Sequence, residues 1–106
     1  MTDRLLDMLK RQNSLQNNTY GHDLIGMSTD ERLDYVRTNV LALQSELFEA
    51  LGETGWKPWA TANHINTNAY VAELVDAWHF LMNLLLATGL SPEELAADLF
   101  DGYAKK

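Results

Sequence analysis

Cysteine is absent from this 106-residue chain. Disulfides and thiolate metal sites are therefore excluded, and nothing calls for an oxidising compartment, so the cytoplasm is the default location. Basic residues are scarce: Lys+Arg number 8 against 15 Asp+Glu, for a formal charge of −7. That balance argues against binding a nucleic-acid polymer or an anionic membrane, both of which need a basic surface. Bound cations would offset part of the deficit. No stretch alternates as a strand before a hairpin turn. The N-terminal "MTDRLLDMLKRQ" has no uninterrupted apolar core of a signal peptide. The apolar uncharged stretch "AWHFLMNLLLATGL" is short for a membrane span and contains His79 and Asn83. There is no solenoid repeat and no low-complexity segment.

What is present fits one domain, residues 1–106, with 46% hydrophobic residues. A chain of this length buries only about two-thirds of its unfolded surface, so association of copies is expected. Periodicity predicts four helices. The first runs from about Asp3 to Gln16, with Leu5, Leu6, Met8, Leu9 and Leu15 apolar, and "NNTYGHDLIGM" reads as a loop. "STDE" (28–31) is a capping box opening a second helix that continues to about Leu51. Its apolar positions are Leu33, Val36, Val40, Leu43, Leu47 and Leu51. "GETGWKPWATANHINTN" breaks the pattern with Gly52, Gly55 and Pro58. The third helix spans about Asn68–Thr88 and stops at Gly89. "SPEE" (91–94) is a second capping box, with proline at the first helical position, ahead of a fourth helix with Leu95, Leu99 and Phe100 apolar. The expected fold is an all-α four-helix bundle, assembled as an oligomer, with a long loop between the second and third helices.

The third helix is apolar nearly all round. Val71, Leu74, Val75, Trp78, Met82 and Leu85 form a core stripe. The opposite face, with Ala69, Phe80, Asn83, Leu84 and Ala87, is also largely apolar, yet it carries Glu73 and Asp76. An unpaired buried charge costs several kcal/mol, so these acids need a partner. The second helix repeats the figure: Glu46 and Glu49, three apart, share a face, and Glu53 continues it. Two carboxylates about 5 Å apart repel by roughly 3 kcal/mol at an effective dielectric of 20. Two such pairs brought together require protonation or a cation. An oxygen-only donor set suits hard divalent ions, Mg²⁺ first, with Mn²⁺ or Ca²⁺ as variants. The plainer alternatives are a solvated E-x-x-E face on the second helix and salt bridges to Arg32, Arg37 or Lys57. A di-iron bundle is disfavoured, because it wants Glu-x-x-His on two helices and His79 lies off the acid face.

"ELFEALGETGWKPWA" followed by "NAYVAELVDAWHF" resembles the all-α nucleoside triphosphate pyrophosphohydrolases, which include the MazG proteins and the dimeric all-α dUTPases. Glu46, Glu49, Glu73 and Asp76 match that family's E-x-x-E and E-x-x-D signature. "WKPW", "ELVDAWHF" and the preceding "LKRQNSLQNNTYG" bring it nearest the dUTPase-like branch common in bacteriophages, which would place it in host cytoplasm. The resemblance implies Mg²⁺-dependent hydrolysis of a dNTP, dUTP first, to dNMP and pyrophosphate. The four acids would hold the ion, and Glu49 would serve as general base. Gln12, Gln16 and Asn17 would read the base, Asn83 would contact ribose or base, Lys57 the phosphates, and Trp56 and Trp59 would stack or close the pocket. Loop anchoring for the tryptophans and solvation for Lys57 remain open alternatives. His79 is expected to be structural or at an interface, and His22 and His64 to lie in loops. Relatives continue past the fourth helix with a basic segment, of which "DGYAKK" would be the beginning. The expected assembly is a homodimer or a dimer of dimers. The rival readings are the same chemistry on a purine or damaged dNTP, and a non-catalytic helical interaction module.

Overall fold

Local chemistry sets the helix ends. In the computed structural model, which describes residues 3–106, the Asp3 carboxylate caps the first helix, α1 (Arg4–Ser14), by accepting from the Leu6 amide. Ser28 and Glu31 form the capping box of α2 (Thr29–Gly52), and Ser91 and Glu94 form that of α4 (Pro92–Ala104). Between them lies α3 (Thr67–Leu86), followed by Gly89 at φ +82°, a left-handed position that glycine occupies without strain. No strand forms among the described residues. One feature departs from the predicted pattern: α1 passes directly into a π-helical turn, Leu15–Thr19, before the chain loops away.

α2 and α3 pack along one another as a long hairpin, the most extensive pairing in the molecule. Residues 53–66 join them, pinched by an isolated bridge between Thr54 and Ile65 and by the Gly55 amide bonding the His64 carbonyl at 2.9 Å. A Cβ at Gly55 would collide with the Ala62 carbonyl, so the two sides of the loop approach there as only glycine permits. α1 packs against α3 and α4 at one end of the hairpin. The core lies there: Leu9, Leu24, Tyr35, Met82, Leu86, Ala87, Leu95 and Ala96. Arg32 locks this end by donating to the Ala87, Ile25 and Met27 carbonyls.

The other half of the hairpin is an arm without a core of its own. Val40, Leu41, Leu47, Phe48, Val71 and Val75 are all exposed there, Phe48 at 73%. This corrects the sequence reading, which assigned Val40 and Leu47 to the buried face of the second helix and Val71 and Val75 to the core stripe of the third. Leu33 and Phe100, also read as apolar packing positions, are exposed as well. The shape is correspondingly elongated, 50 × 36 × 27 Å, with a radius of gyration of 16.3 Å where a compact domain of this length has about 13 Å. By length and composition α3 could cross a membrane, but it packs along α2 and carries Glu73 and Asp76 in its middle.

Candidate functional site

The seam between α2 and α3 carries a polar stripe from each helix. Tyr35, Asn39, Glu46 and Glu49 recur at helical spacing on α2, as do Glu73, Asp76, Phe80 and Asn83 on α3. The helices run antiparallel, so amides meet amides near the core and acids meet acids on the arm. A groove of about 790 Å³ follows the seam, within the usual ~300–1,000 Å³ of ligand pockets. Asn39, Tyr35 and Asn83 line it toward the core, and Glu46 and Asp76 toward the arm. Asn39 and Glu46 are separated by about 10 Å of helix.

At the acid end, one carboxylate oxygen from each of Glu46, Glu49 and Glu73 lies within 4.8 Å of the others. Glu46 and Glu73 are half-buried and Glu49 is exposed. The Oε2 atoms of Glu46 and Glu73 are buried without a hydrogen-bond partner. Asp76 lines the groove beside Glu46 but lies outside that cluster. None of the cations weighed as partners compensates these acids: Arg32 holds carbonyls, Arg37 pairs with Asp34 at 2.9 Å, and Lys57 lies over the Trp59 ring. The crowding is visible in the titration. Hydrogen bonding to the Glu49 carboxylate, then to Glu46, together with desolvation, pushes Glu73 up to about 7. Desolvation raises Glu46 as well, with repulsion from Glu49 and Asp76 adding to it. Three mutually facing carboxylates with two orphaned oxygens and no counter-cation fit a hard divalent ion.

A pH dependence follows. Glu73 keeps its proton to about pH 7 when folded and to about 4.5 when unfolded. The folded chain therefore binds more protons between those values, and this contribution to stability, complete below about pH 4.5, is lost as pH rises through 7. In EDTA, Tm should fall from pH 5 to pH 8 more steeply for the natural protein than for Glu73→Gln. Added Mg²⁺ should raise Tm most at the high end, where no proton competes, and near pH 6.5 its binding should release on the order of one proton, measurable by calorimetry in buffers of different ionisation enthalpy.

At the other end, the amides form a buried relay. Gln12, Asn39 and Asn83 are 3%, 5% and 5% exposed. Gln12 Nε2 donates to Asn83 Oδ1 at 2.7 Å, Asn83 Nδ2 to Asn39 Oδ1 at 2.9 Å, and Asn39 Nδ2 to the Tyr35 carbonyl at 2.8 Å. The Tyr35 hydroxyl donates to Gln16 Oε1 at 2.7 Å, and desolvation pushes the tyrosine up to about 12, so it stays a donor. Gln16, one ordinary helical turn after Gln12 at the opening of the π-helical segment, joins this cluster.

Over residues 4–103, nearly the whole chain, the sequence matches the family model described as dUTPase. The chain belongs to the all-α dUTPase family. No match is found among curated proteins or among solved structures. Membership makes the chain one of a family of hydrolases acting on nucleoside triphosphates, and the four-helix, strand-free architecture agrees with the family's fold.

Of the residues that the dUTPase resemblance singled out, the structure gathers Glu46, Glu49 and Glu73 in one cluster, Asp76 beside it, and Gln12, Gln16 and Asn83 at the amide end. It does not bring in the rest. Asn17 is exposed on the π-helical turn, bonded only to Asn13 at 3.4 Å. Trp56, Lys57 and Trp59 are exposed on the 53–66 loop and line no part of the groove; Trp56 borders a separate shallow depression with His64 and Ile65. Several groove residues escaped the sequence reading, Tyr35, Asn39, His79 and Phe80 among them. His79, expected to be structural, lines the groove with Nδ1 at 2.7 Å from Gln12 Oε1. Its spacing, three after Asp76 and four before Asn83, was the available signal. Asn39 gave none beyond helical spacing from Glu46.

Proposed function

We propose that the protein is a Mg²⁺-dependent pyrophosphohydrolase that converts dUTP to dUMP and pyrophosphate. The observation that carries the reading is a three-carboxylate cluster that reaches, through Glu46, the same groove as a buried amide relay, in a chain of the dUTPase family. The amide end offers directional donors and acceptors to a base edge, and Phe80, half-buried in the groove wall, offers a ring face for stacking. The triphosphate then extends toward the acids.

Glu46, Glu49 and Glu73 would hold the ion, with Asp76 completing the set from the groove side. Mg²⁺ bound there would supply charge neutralisation for the triphosphate and a more acidic water. Glu49, the most exposed of the three, would accept a proton from the water that attacks the α-phosphorus. Gln12, Gln16 and Asn83 orient the base, so that cleavage falls between the α and β phosphates. Because the acids lie on the arm, where apolar side chains are uncovered, the working form is a homodimer or a dimer of dimers. Lys57, Trp56 and Trp59, distant from the groove of their own chain, have no role in this reading. The cytoplasm is the fitting compartment for such an enzyme.

The test is pyrophosphate release from dUTP, dTTP, dCTP, dATP, dGTP and one damaged dNTP, with Mg²⁺ and with EDTA. The expected result is metal-dependent pyrophosphate, not orthophosphate, with dUTP ranked first. A purine or damaged nucleotide ranked first would keep the chemistry and replace the substrate. No release from any of them would overturn the reading.

A further inference from the structure

We infer that Asn39 determines which pyrimidine the groove accepts, acting through Asn83, Gln12 and His79. The inference rests on the dUTPase reading above and adds to it a positioning residue and a reason for the base preference.

An amide side chain in a hydrogen-bonded relay can point either way, because its oxygen and nitrogen are nearly the same size. Something has to set the direction. Here it is the Tyr35 main-chain carbonyl, which can only accept. Asn39 must therefore turn its Nδ2 toward Tyr35, at 2.8 Å, and its Oδ1 toward Asn83. Asn83 must then answer with Nδ2, leaving its own Oδ1 for Gln12 Nε2 at 2.7 Å. Gln12 is left with Oε1 facing His79 Nδ1 at 2.7 Å, so that ring nitrogen carries the hydrogen. In the neutral ring Nε2 is consequently an acceptor. A reversed relay would set an amide oxygen against the Tyr35 carbonyl with no hydrogen between them, and in a buried site that is costly.

The direction decides what remains for a ligand. Gln12 Nε2 and Asn83 Nδ2 each keep one spare hydrogen and their oxygens each a spare lone pair, so the group whose role the direction sets is His79 Nε2, an acceptor at the end of the relay. That acceptor complements the N3–H of a uracil edge, while the amide donors can serve its carbonyl oxygens. A cytosine edge presents N3 as an acceptor, so it meets the His79 lone pair with a lone pair. Sites that leave buried polar groups unpaired reject the wrong ligand strongly, by up to about 10⁴–10⁵.

Without Asn39 the direction is lost. Asn83 is free to flip, Gln12 and His79 follow, and the groove can then present the cytosine-type pattern as readily. Asn39→Leu, close in shape, and Asn39→Ala, smaller, both remove the direction. Asn39→Asp preserves it only while protonated, when it can still donate to the Tyr35 carbonyl and accept from Asn83. The experiment measures kcat and KM for dUTP and dCTP, and calorimetric binding of dUMP and dCMP, for the natural protein and all three variants, with folding checked by circular dichroism. The expected result is a fall of about tenfold or more in the dUTP:dCTP ratio of kcat/KM for whichever of the Leu and Ala variants folds. The change should fall mainly in KM, and the ratio should be partly restored in Asn39→Asp at low pH, where the carboxyl is protonated. An equal loss for both nucleotides, or an unchanged ratio, overturns the inference while leaving the dUTPase reading intact. If the natural protein neither cleaves dUTP nor binds dUMP, that reading fails and the inference falls with it.

Discussion

At pH 8, where Glu73 is ionised, replacing it with glutamine should give a protein that melts higher than its parent in EDTA and hydrolyses dUTP at least about a hundredfold more slowly in Mg²⁺. The two effects share one cause. In the metal-free chain Glu73 faces the Glu46 and Glu49 carboxylates, and its own buried oxygen has no partner. Glutamine removes a negative charge and supplies an N–H donor, so both the repulsion and the orphaned acceptor are relieved. With Mg²⁺ present the same change removes an anionic ligand at the point where charge develops, and losing one preorganised electrostatic group typically costs roughly 10²–10³ in rate. The order of melting temperatures should therefore invert: variant above parent in EDTA, parent above variant in saturating Mg²⁺, since only the parent gains from tight binding. A scan of both proteins with and without metal, beside a pyrophosphate assay, checks it. If Glu73→Gln loses stability in EDTA, the acids are not mutually strained and the case for a cation there collapses.

A charge placed on the arm should separate the assembly. Leu47→Lys and Val40→Asp both fall on exposed apolar positions of α2. The protein exposes 7579 Å², against about 6,000 Å² for a compact monomer of its mass. The excess, about 1,600 Å², exceeds the ~800 Å² that each partner gives to a standard interface. Burying an unpaired charge in such a surface costs several kcal/mol, and at about 1.4 kcal/mol per tenfold the dissociation constant should rise by roughly a hundredfold or more. Sedimentation velocity should show the parent as a dimer or larger and the variants as monomers at micromolar concentration. The parent's Tm should rise with protein concentration while the variants' does not. A parent that sediments as a monomer would remove association from the proposed function.

Where the sequence spoke through local chemistry, it was readable. Ser28 with Glu31, Ser91 with Glu94, Pro92 and Gly89 each act within one turn of backbone; the structure opens α2 and α4 at those boxes and ends α3 at Leu86, three residues before Gly89. The acids were readable for a related reason: E-x-x-E and E-x-x-D fix two carboxylates on one helix face whatever surrounds them. The apolar positions were harder. Val40, Leu47, Val71 and Val75 announce that something covers them, but periodicity cannot say whether that cover is the same chain or another one. Lys57 and the two loop tryptophans illustrate a further limit, since nearness in sequence to the E-x-x-E helix does not carry a residue on a fourteen-position excursion (53–66) back to the groove. The amide relay was the least legible part. Asn39, Asn83 and Gln12 are unremarkable as single letters, and their meaning arises from contacts across 44 and 71 positions of chain.

The π-helical turn at Leu15–Thr19 has a consequence for how this chain can vary in length. A wider turn changes the angular phase of everything after it, so it behaves like a one-residue insertion absorbed without breaking the helix. Gln12 and Gln16 both sit on regular helix, since Ser14 and Leu15 keep ordinary helical angles, and the widening falls after them. Deleting one residue between 17 and 19 would therefore leave both glutamines on their partners and shift only where the chain leaves toward Leu24 and Met27. The amide end of the groove and the loop beyond it are thus free to change length independently.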